Sequence, residues 1–210
     1  GDGIPTIYDN CPQGLGKADG WVSTEATDGD QDGCRDSVED DDDDNDGIID
    51  AHDLCPKSYG WVSTPSADYD YDGCHDADED LDDDGDGVND LDDSCPIGRK
   101  GWSSNDYSDW DGDGCSDLDE DDNDDNDDYD DIGDQCPKGW IGWRANNTSD
   151  WDQDGCKDST EDDDDDNDGI NDFNSTGDQL DLCPETPLNS QNVNETGCAA
   201  NQRDTDQDGI

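Results

Sequence analysis

The sequence predicts an elongated tandem array of irregular loops with little regular helix or strand, stapled by disulfides. Three observations carry that expectation. A twelve-residue pattern, D-x-D-x-D-G-C-x-D-x-x-E, occurs four times, at 28–39, 68–79, 109–120 and 150–161. Leu, Ile, Val and Phe make only 23 of 210 residues, while the formal net charge is -57. Ten cysteines recur in step with the pattern. So few large aliphatic residues exclude an ordinary hydrophobic core, and the charge alone describes a disordered acidic chain. Two carboxylates about 4 Å apart in water repel by roughly 1 kcal/mol, and dozens of such neighbours expand a polymer. A folded state therefore needs cations in stoichiometric amounts. Seven Trp and six Tyr argue against a purely solvating tail, because aromatic residues are scarce in disorder.

The twelve-residue copies are the first element, called here first-type loops. Carboxylates at positions 1, 3, 5, 9 and 12, with a turn glycine at 6, form the all-oxygen ligand set of a calcium loop. The candidate ligands are Asp28, Asp30, Asp32, Asp36 and Glu39; Asp68, Asp70, Asp72, Asp76 and Glu79; Asp109, Asp111, Asp113, Asp117 and Glu120; and Asp150, Asp152, Asp154, Asp158 and Glu161. Successive copies start 40 or 41 residues apart, the period of a repeat array.

A second-type loop starts fourteen residues after each first, in its best copies D-x-D-x-D-G-x-x-D-x-x-D-x-C-P. Asp42, Asp44, Asp46, Asp50 and Asp53 form one set, and Asp82, Asp84, Asp86, Asp90 and Asp93 the next. The third set is Asp125, Asp127, Asp131 and Asp134. There Asn123 replaces the first Asp and Asp128 takes the glycine position, which predicts a weaker or rearranged site. The fourth holds Asp164, Asp166, Asp168 and Asp172, then an insertion at 174–180, with Asp178 or Asp181 as alternative last ligands.

Between loop pairs lies a segment from Cys-Pro to Gly-Cys. Its Trp21, Trp61, Trp102 or Trp143 stands thirteen residues before the following cysteine, as a local packing plug or a glycan platform. The repeat favours Cys11–Cys34, Cys55–Cys74, Cys95–Cys115, Cys136–Cys156 and Cys183–Cys198. The rival map pairs Cys34–Cys55, Cys74–Cys95, Cys115–Cys136 and Cys156–Cys183, leaving Cys11 and Cys198 over. With no Cys-x-x-Cys pair, the cysteines point to an oxidising, extracellular or cell-surface setting. The sequons at Asn146, Asn147, Asn174 and Asn194 permit glycosylation there. No apolar run is long enough to span a membrane.

Aligned on Cys198, a fifth first-type loop has Asn192, Asn194, Thr196, Ala200 and Arg203 at the ligand positions, so no calcium is expected there. Asp204, Asp206 and Asp208 begin a second-type loop at the end of the sequence, and Asp2 and Asp9 match the missing remainder. The expected organisation is a split-loop end over 1–10; repeats over 11–54, 55–94, 95–135 and 136–182; a degenerate repeat over 183–203; and a split-loop start over 204–210. It suggests head-to-tail self-association, or continuation in a longer repeat chain; the bland alternative is an arbitrary cut through a large protein.

At D-x-D-x-D-G-x-x-D-x-x-D-x-C-P, and most fully at Asp9-Asn10-Cys11-Pro12, the chain resembles the thrombospondin type 3 repeat. The resemblance implies an extracellular, calcium-wrapped backbone with little regular secondary structure, in which the loop aspartates hold closely spaced Ca2+. Here the second cysteine lies at loop position 7 and the Gly-Trp spacer is longer. The loops alone also resemble EF-hands, but position 8, apolar where such hands pair, is Arg35, His75, Ser116 and Lys157.

The expected cofactor is Ca2+, on the order of ten ions or more. The expected function is a structural rod or filament; the alternative is a calcium-dependent adhesion module holding glycans or proteins, and a third possibility is calcium buffering. Catalysis is not expected: His52 and His75 are the only histidines and no nucleophile accompanies them. The charge excludes nucleic acid as a partner.

Overall fold

The computed structural model describes residues 2–14, 20–190 and 192–203. Nearly all of them lie in turns, bends and irregular backbone. The one β-bridge among the described residues is antiparallel, Phe173 to Gln179. It closes the insertion as a small loop, with the Leu180 N–H bonded to the Asp172 carbonyl at 2.8 Å. No helix among these residues is long and apolar enough to cross a membrane. The chain divides into two compact units, Gly1–Ser104 with Asp113–Cys115, and Asn105–Gly112 with Ser116–Ile210.

The absence of regular structure follows from where the backbone N–H groups go. Aspartates offer a local alternative to helix and sheet bonding, because a short carboxylate can accept from amides a few residues on. Position 5 of the aspartate loops accepts the N–H of position 7: Cys34 to Asp32 at 2.7 Å, Ile48 to Asp46 at 2.6 Å, Cys74 to Asp72 at 2.7 Å and Val88 to Asp86 at 2.7 Å. In the second unit Tyr129 to Asp127 and Ile170 to Asp168 repeat it at 2.8 and 2.9 Å. The turn-glycine N–H donates to position 1, as in Gly33 to Asp28 and Gly47 to Asp42, both 3.2 Å. Position 4 is left-handed in the first four loops of each type, and Asn45, Asn126 and Asn167 (φ 61, 59 and 53°) suit it, since asparagine tolerates that conformation.

Five disulfides are present, Cys11–Cys34, Cys55–Cys74, Cys95–Cys115, Cys136–Cys156 and Cys183–Cys198, and these favour an oxidising environment. Beside each, the residue before the Cys-Pro cysteine donates its N–H to the position-5 carbonyl of the next first-type loop. Leu54 to Asp72 and Ser94 to Asp113 both measure 2.7 Å. The buried hydrophobic residues are Cys34, Cys74, Cys115, Cys156, Cys198 and Ala199, whereas Leu91 is 97% exposed. Among the described residues the ten largest fully buried side chains are all aspartates.

Asp128 was expected to weaken or rearrange its loop, and the backbone is not rearranged. Its φ is 90°, close to the 96 to 103° of Gly47, Gly87 and Gly169 at the same position. Asn123 also keeps the place of the missing first aspartate, its Oδ1 accepting the Asp127 N–H at 3.4 Å. A residue with a Cβ is thus held in glycine territory, at a cost of about 1 kcal/mol or more. The Asp128–Arg144 pair (3.0 Å) is exposed and contributes little. Asp128→Gly is expected to raise stability in calcium by about 1 kcal/mol, read as an increased denaturant midpoint; an unchanged or lower midpoint would show that the residue carries no strain.

Candidate metal centres

The best-defined centre in the first unit is the second-type loop at 42–53. One ligand oxygen each from Asp42, Asp44 and Asp46 lies within 4.8 Å of the others. Each carboxylate is aimed by the backbone. Asp42 Oδ2 accepts the Gly47 N–H, Asp46 Oδ1 the Ile48 N–H, and Asp44 Oδ2 the Ser58 N–H at 2.7 Å. Asp53 Oδ1 takes the Cys55 N–H at 2.6 Å. The remaining oxygens, Asp42 Oδ1, Asp46 Oδ2 and Asp53 Oδ2, are buried without a hydrogen-bond donor. Burial, followed by the charges of Asp44 and Asp46, raises the Asp53 carboxyl to about 6.

The same construction recurs. In the first unit Asp28, Asp30 and Asp32 converge, as do Asp68, Asp70 and Asp72. Asp84 accepts the Gly98 N–H at 2.7 Å, and Asp82 Oδ1 and Asp93 Oδ2 are buried without a donor. The second unit has Asp125 taking the Gly139 N–H at 2.8 Å, and Asp166 the Thr186 N–H at 2.6 Å. Asp125 Oδ1, Asp127 Oδ2, Asp134 Oδ2, Asp150 Oδ2 and Asp168 Oδ2 are buried without donors there. Asp154 Oδ1 and Asp164 Oδ2 accept the Cys156 and Gly169 N–H groups, both at 2.9 Å. The third first-type loop is divided, Asp113 belonging to the first unit and Asp109, Asp111, Asp117 and Glu120 to the second.

The fourth second-type loop ends on Asp181, which sequence reading left open against Asp178. Asp181 is fully buried and takes the Cys183 N–H at 2.6 Å, as Asp53, Asp93 and Asp134 do for their cysteines. Asp178 is exposed and bonded to Asn174 and Thr176. Asp2 and Asp9 are buried, and Asp2 Oδ1 accepts the Ile4 N–H at 3.0 Å, matching Asp46 and Ile48. Their expected complement, Asp204, Asp206 and Asp208, lies outside the described residues.

Position 9 of both loop types and position 12 of the first type face elsewhere. Asp36, Asp76, Asp117 and Asp158 accept the position-2 N–H of their own loops at 2.9 to 3.3 Å. Asp50, Asp90 and Asp131 do so at 2.9, 2.9 and 3.0 Å. Asp36 gathers with Asp40 and Asp43, two carboxylates outside the expected ligand set. The glutamates meet the Cys-Pro segments: Ser58 Oγ donates to Glu79, and Glu39 and Glu161 lie against Gly14 and Gly139.

Two groups of aromatics act as local struts and plugs. At position 2, Tyr69 Oη, Trp110 Nε1 and Trp151 Nε1 donate to the carbonyls of Gly98, Gly139 and Thr186 at 2.9, 3.0 and 3.1 Å. The Trp61 ring lies 4.9 Å from the His75 ring, and Lys157 Nζ lies 5.7 Å from the Trp143 ring centre, so these two segment tryptophans pack on position 8. Of the sequon asparagines, Asn146 donates its amide to the Arg144 carbonyl and Ser149; Asn174 and Asn194 fold over their own turns, and exposed Asn147 accepts from Gln153 at 3.3 Å.

The fifth loop is built without carboxylate ligands. Asn194 Oδ1 accepts the Thr196 and Cys198 N–H groups, while the Arg203 guanidinium donates to the Cys198 and Asn192 carbonyls.

Such donor sets suit a hard cation. Every cysteine is oxidised, which removes the thiolates that zinc sites use, including Cys34 beside Asp32 and Asp40. Carboxylate-rich irregular loops match the many-oxygen, flexible coordination of Ca2+ better than the strict octahedron of Mg2+. No protein-family model matches the chain, and no curated protein matches it.

Proposed function

We propose that the chain is an extracellular calcium-binding structural protein, a thrombospondin type 3-like tandem array that bound Ca2+ turns into a rigid rod or head-to-tail filament. One observation supports this above the rest: among the described residues the ten largest fully buried side chains are aspartates, and several turn an oxygen with no donor into the interior. Removing an ionised carboxylate from water costs several kcal/mol, which only an apposed cation offsets at neutral pH. Nine Lys and Arg against 66 Asp and Glu are too few. The ions thus do the work of a hydrophobic core, and the role is structural rather than catalytic.

The experiment is an ion count by native mass spectrometry in millimolar calcium, with electron microscopy of the same sample. On the order of ten bound Ca2+ per chain are expected, with uniform fibres or rods. An ion-free chain would overturn the reading; isolated loaded monomers would shift it to the adhesion module.

A further inference from the structure

A second kind of carboxylate cluster lies between the two loops of a repeat. In the first copy it comprises Asp36, Asp40 and Asp43. A cation already stands there: Lys57 Nζ is 3.6 Å from Asp36 and 3.5 Å from Asp43. The third copy is built alike, with Lys138 Nζ paired to Asp117 and 3.4 Å from Asp124. Both lysines sit two residues after the Cys-Pro cysteine. The same place holds Ile97 in the second copy and Glu185 in the fourth.

The fourth copy keeps the carboxylates without the lysine. Asp158, Asp162, Asp165 and Asp172 line a cavity of about 270 Å³. Asp172 is only 6% exposed, and its Oδ1 is buried with no donor, as are Asp162 Oδ2 and Asp165 Oδ1. Asp165 and Asp172 are close enough to hydrogen-bond to each other. Four carboxylates around one cavity, one of them nine-tenths buried, repel unless a cation joins them.

We propose that Asp158, Asp162, Asp165 and Asp172 bind one further Ca2+, in the place that a lysine ammonium takes in the first and third copies. Hard carboxylate oxygens and a cavity open to water suit calcium, which completes its six to eight ligands with solvent. The site lies outside the two loop centres of the repeat, and it rests on the reading that those loops hold calcium. A single residue type, two positions beyond the cysteine, then decides whether a repeat takes this ion or supplies its own positive charge.

The test counts Ca2+ on the full chain by native mass spectrometry in wild type, Glu185→Lys and Lys57→Ile. Glu185→Lys is expected to carry one ion fewer than wild type, and Lys57→Ile one more. Wild-type counts in both variants of a calcium-loaded chain overturn this site and leave the proposed function standing. A wild-type chain that binds no calcium removes both.

Discussion

Chelation of calcium at neutral pH is expected to abolish the ordered state. Near-UV circular dichroism from the seven Trp should collapse and amide hydrogen exchange should lose its protection, because most of the loop amides are held by carboxylates that then repel one another. The disulfides survive chelation, so readdition of calcium restores both signals. Acid changes the order of the metal-free chain and the ion content of the loaded one. In the metal-free chain burial first, then neighbouring carboxylates, push Asp70 and Asp152 up to about 7, and Asp165 to about 8. A carboxyl whose folded value lies above its unfolded 3.8 stabilises the fold below pH 3.8, and that contribution is lost as pH rises through about 7 to 8. Chelated protein should therefore regain order on acidification toward pH 4. The calcium-loaded protein should exchange its ions for protons over the same descent and end in that same protonated state. Spectra unchanged by chelator at neutral pH would defeat the account of how this chain folds.

Gly73→Ala is expected to be a strongly damaging methyl addition, costing roughly 2–4 kcal/mol. Its φ is 88°, and an added Cβ would run into the Asp53 carboxylate, the last candidate ligand of the preceding second-type loop. The mutation thus strains one loop and displaces a ligand of another. Gly60→Ala serves as the control: its φ is 98°, but nothing lies within 4 Å of the added atom, so it bears only backbone strain of about 1 kcal/mol. Denaturant midpoints in saturating calcium measure both. Equal losses at the two positions would show that the Asp53 contact is unimportant. Gly114 and Asp93, Gly155 and Asp134, and Gly197 and Asp181 are in the same relation.

The disulfide map was legible because the cysteines share the period of the loops, and one pairing uses all ten. The convergence of positions 1, 3 and 5 was equally legible, since alternation around a turn glycine places those side chains on one side of the loop. Asp181 was not fixed by sequence, because an insertion breaks the register just before it. Asp40 and Asp43 were passed over for another reason: each looks like one more residue in a run of aspartates, and their role depends on two loops meeting. The left-handed Gln31 and Tyr71 carry no compositional signal, unlike glycine or asparagine at that position. The reach of Tyr69, Trp110 and Trp151 to carbonyls 29 or 35 residues away was invisible in a pattern that explained only carboxylates.

An interior of aspartate and cystine has a thermal consequence. Ordinary domains gain about 12–15 cal/mol/K per residue of heat capacity on unfolding, because apolar surface becomes hydrated, and this bends their stability curves downward in the cold. Here the aliphatic side chains are largely wet already, Leu91 and Ile132 almost completely. Opening the chain hydrates little new hydrocarbon, so the curve is flat, and chilling alone has little leverage on it.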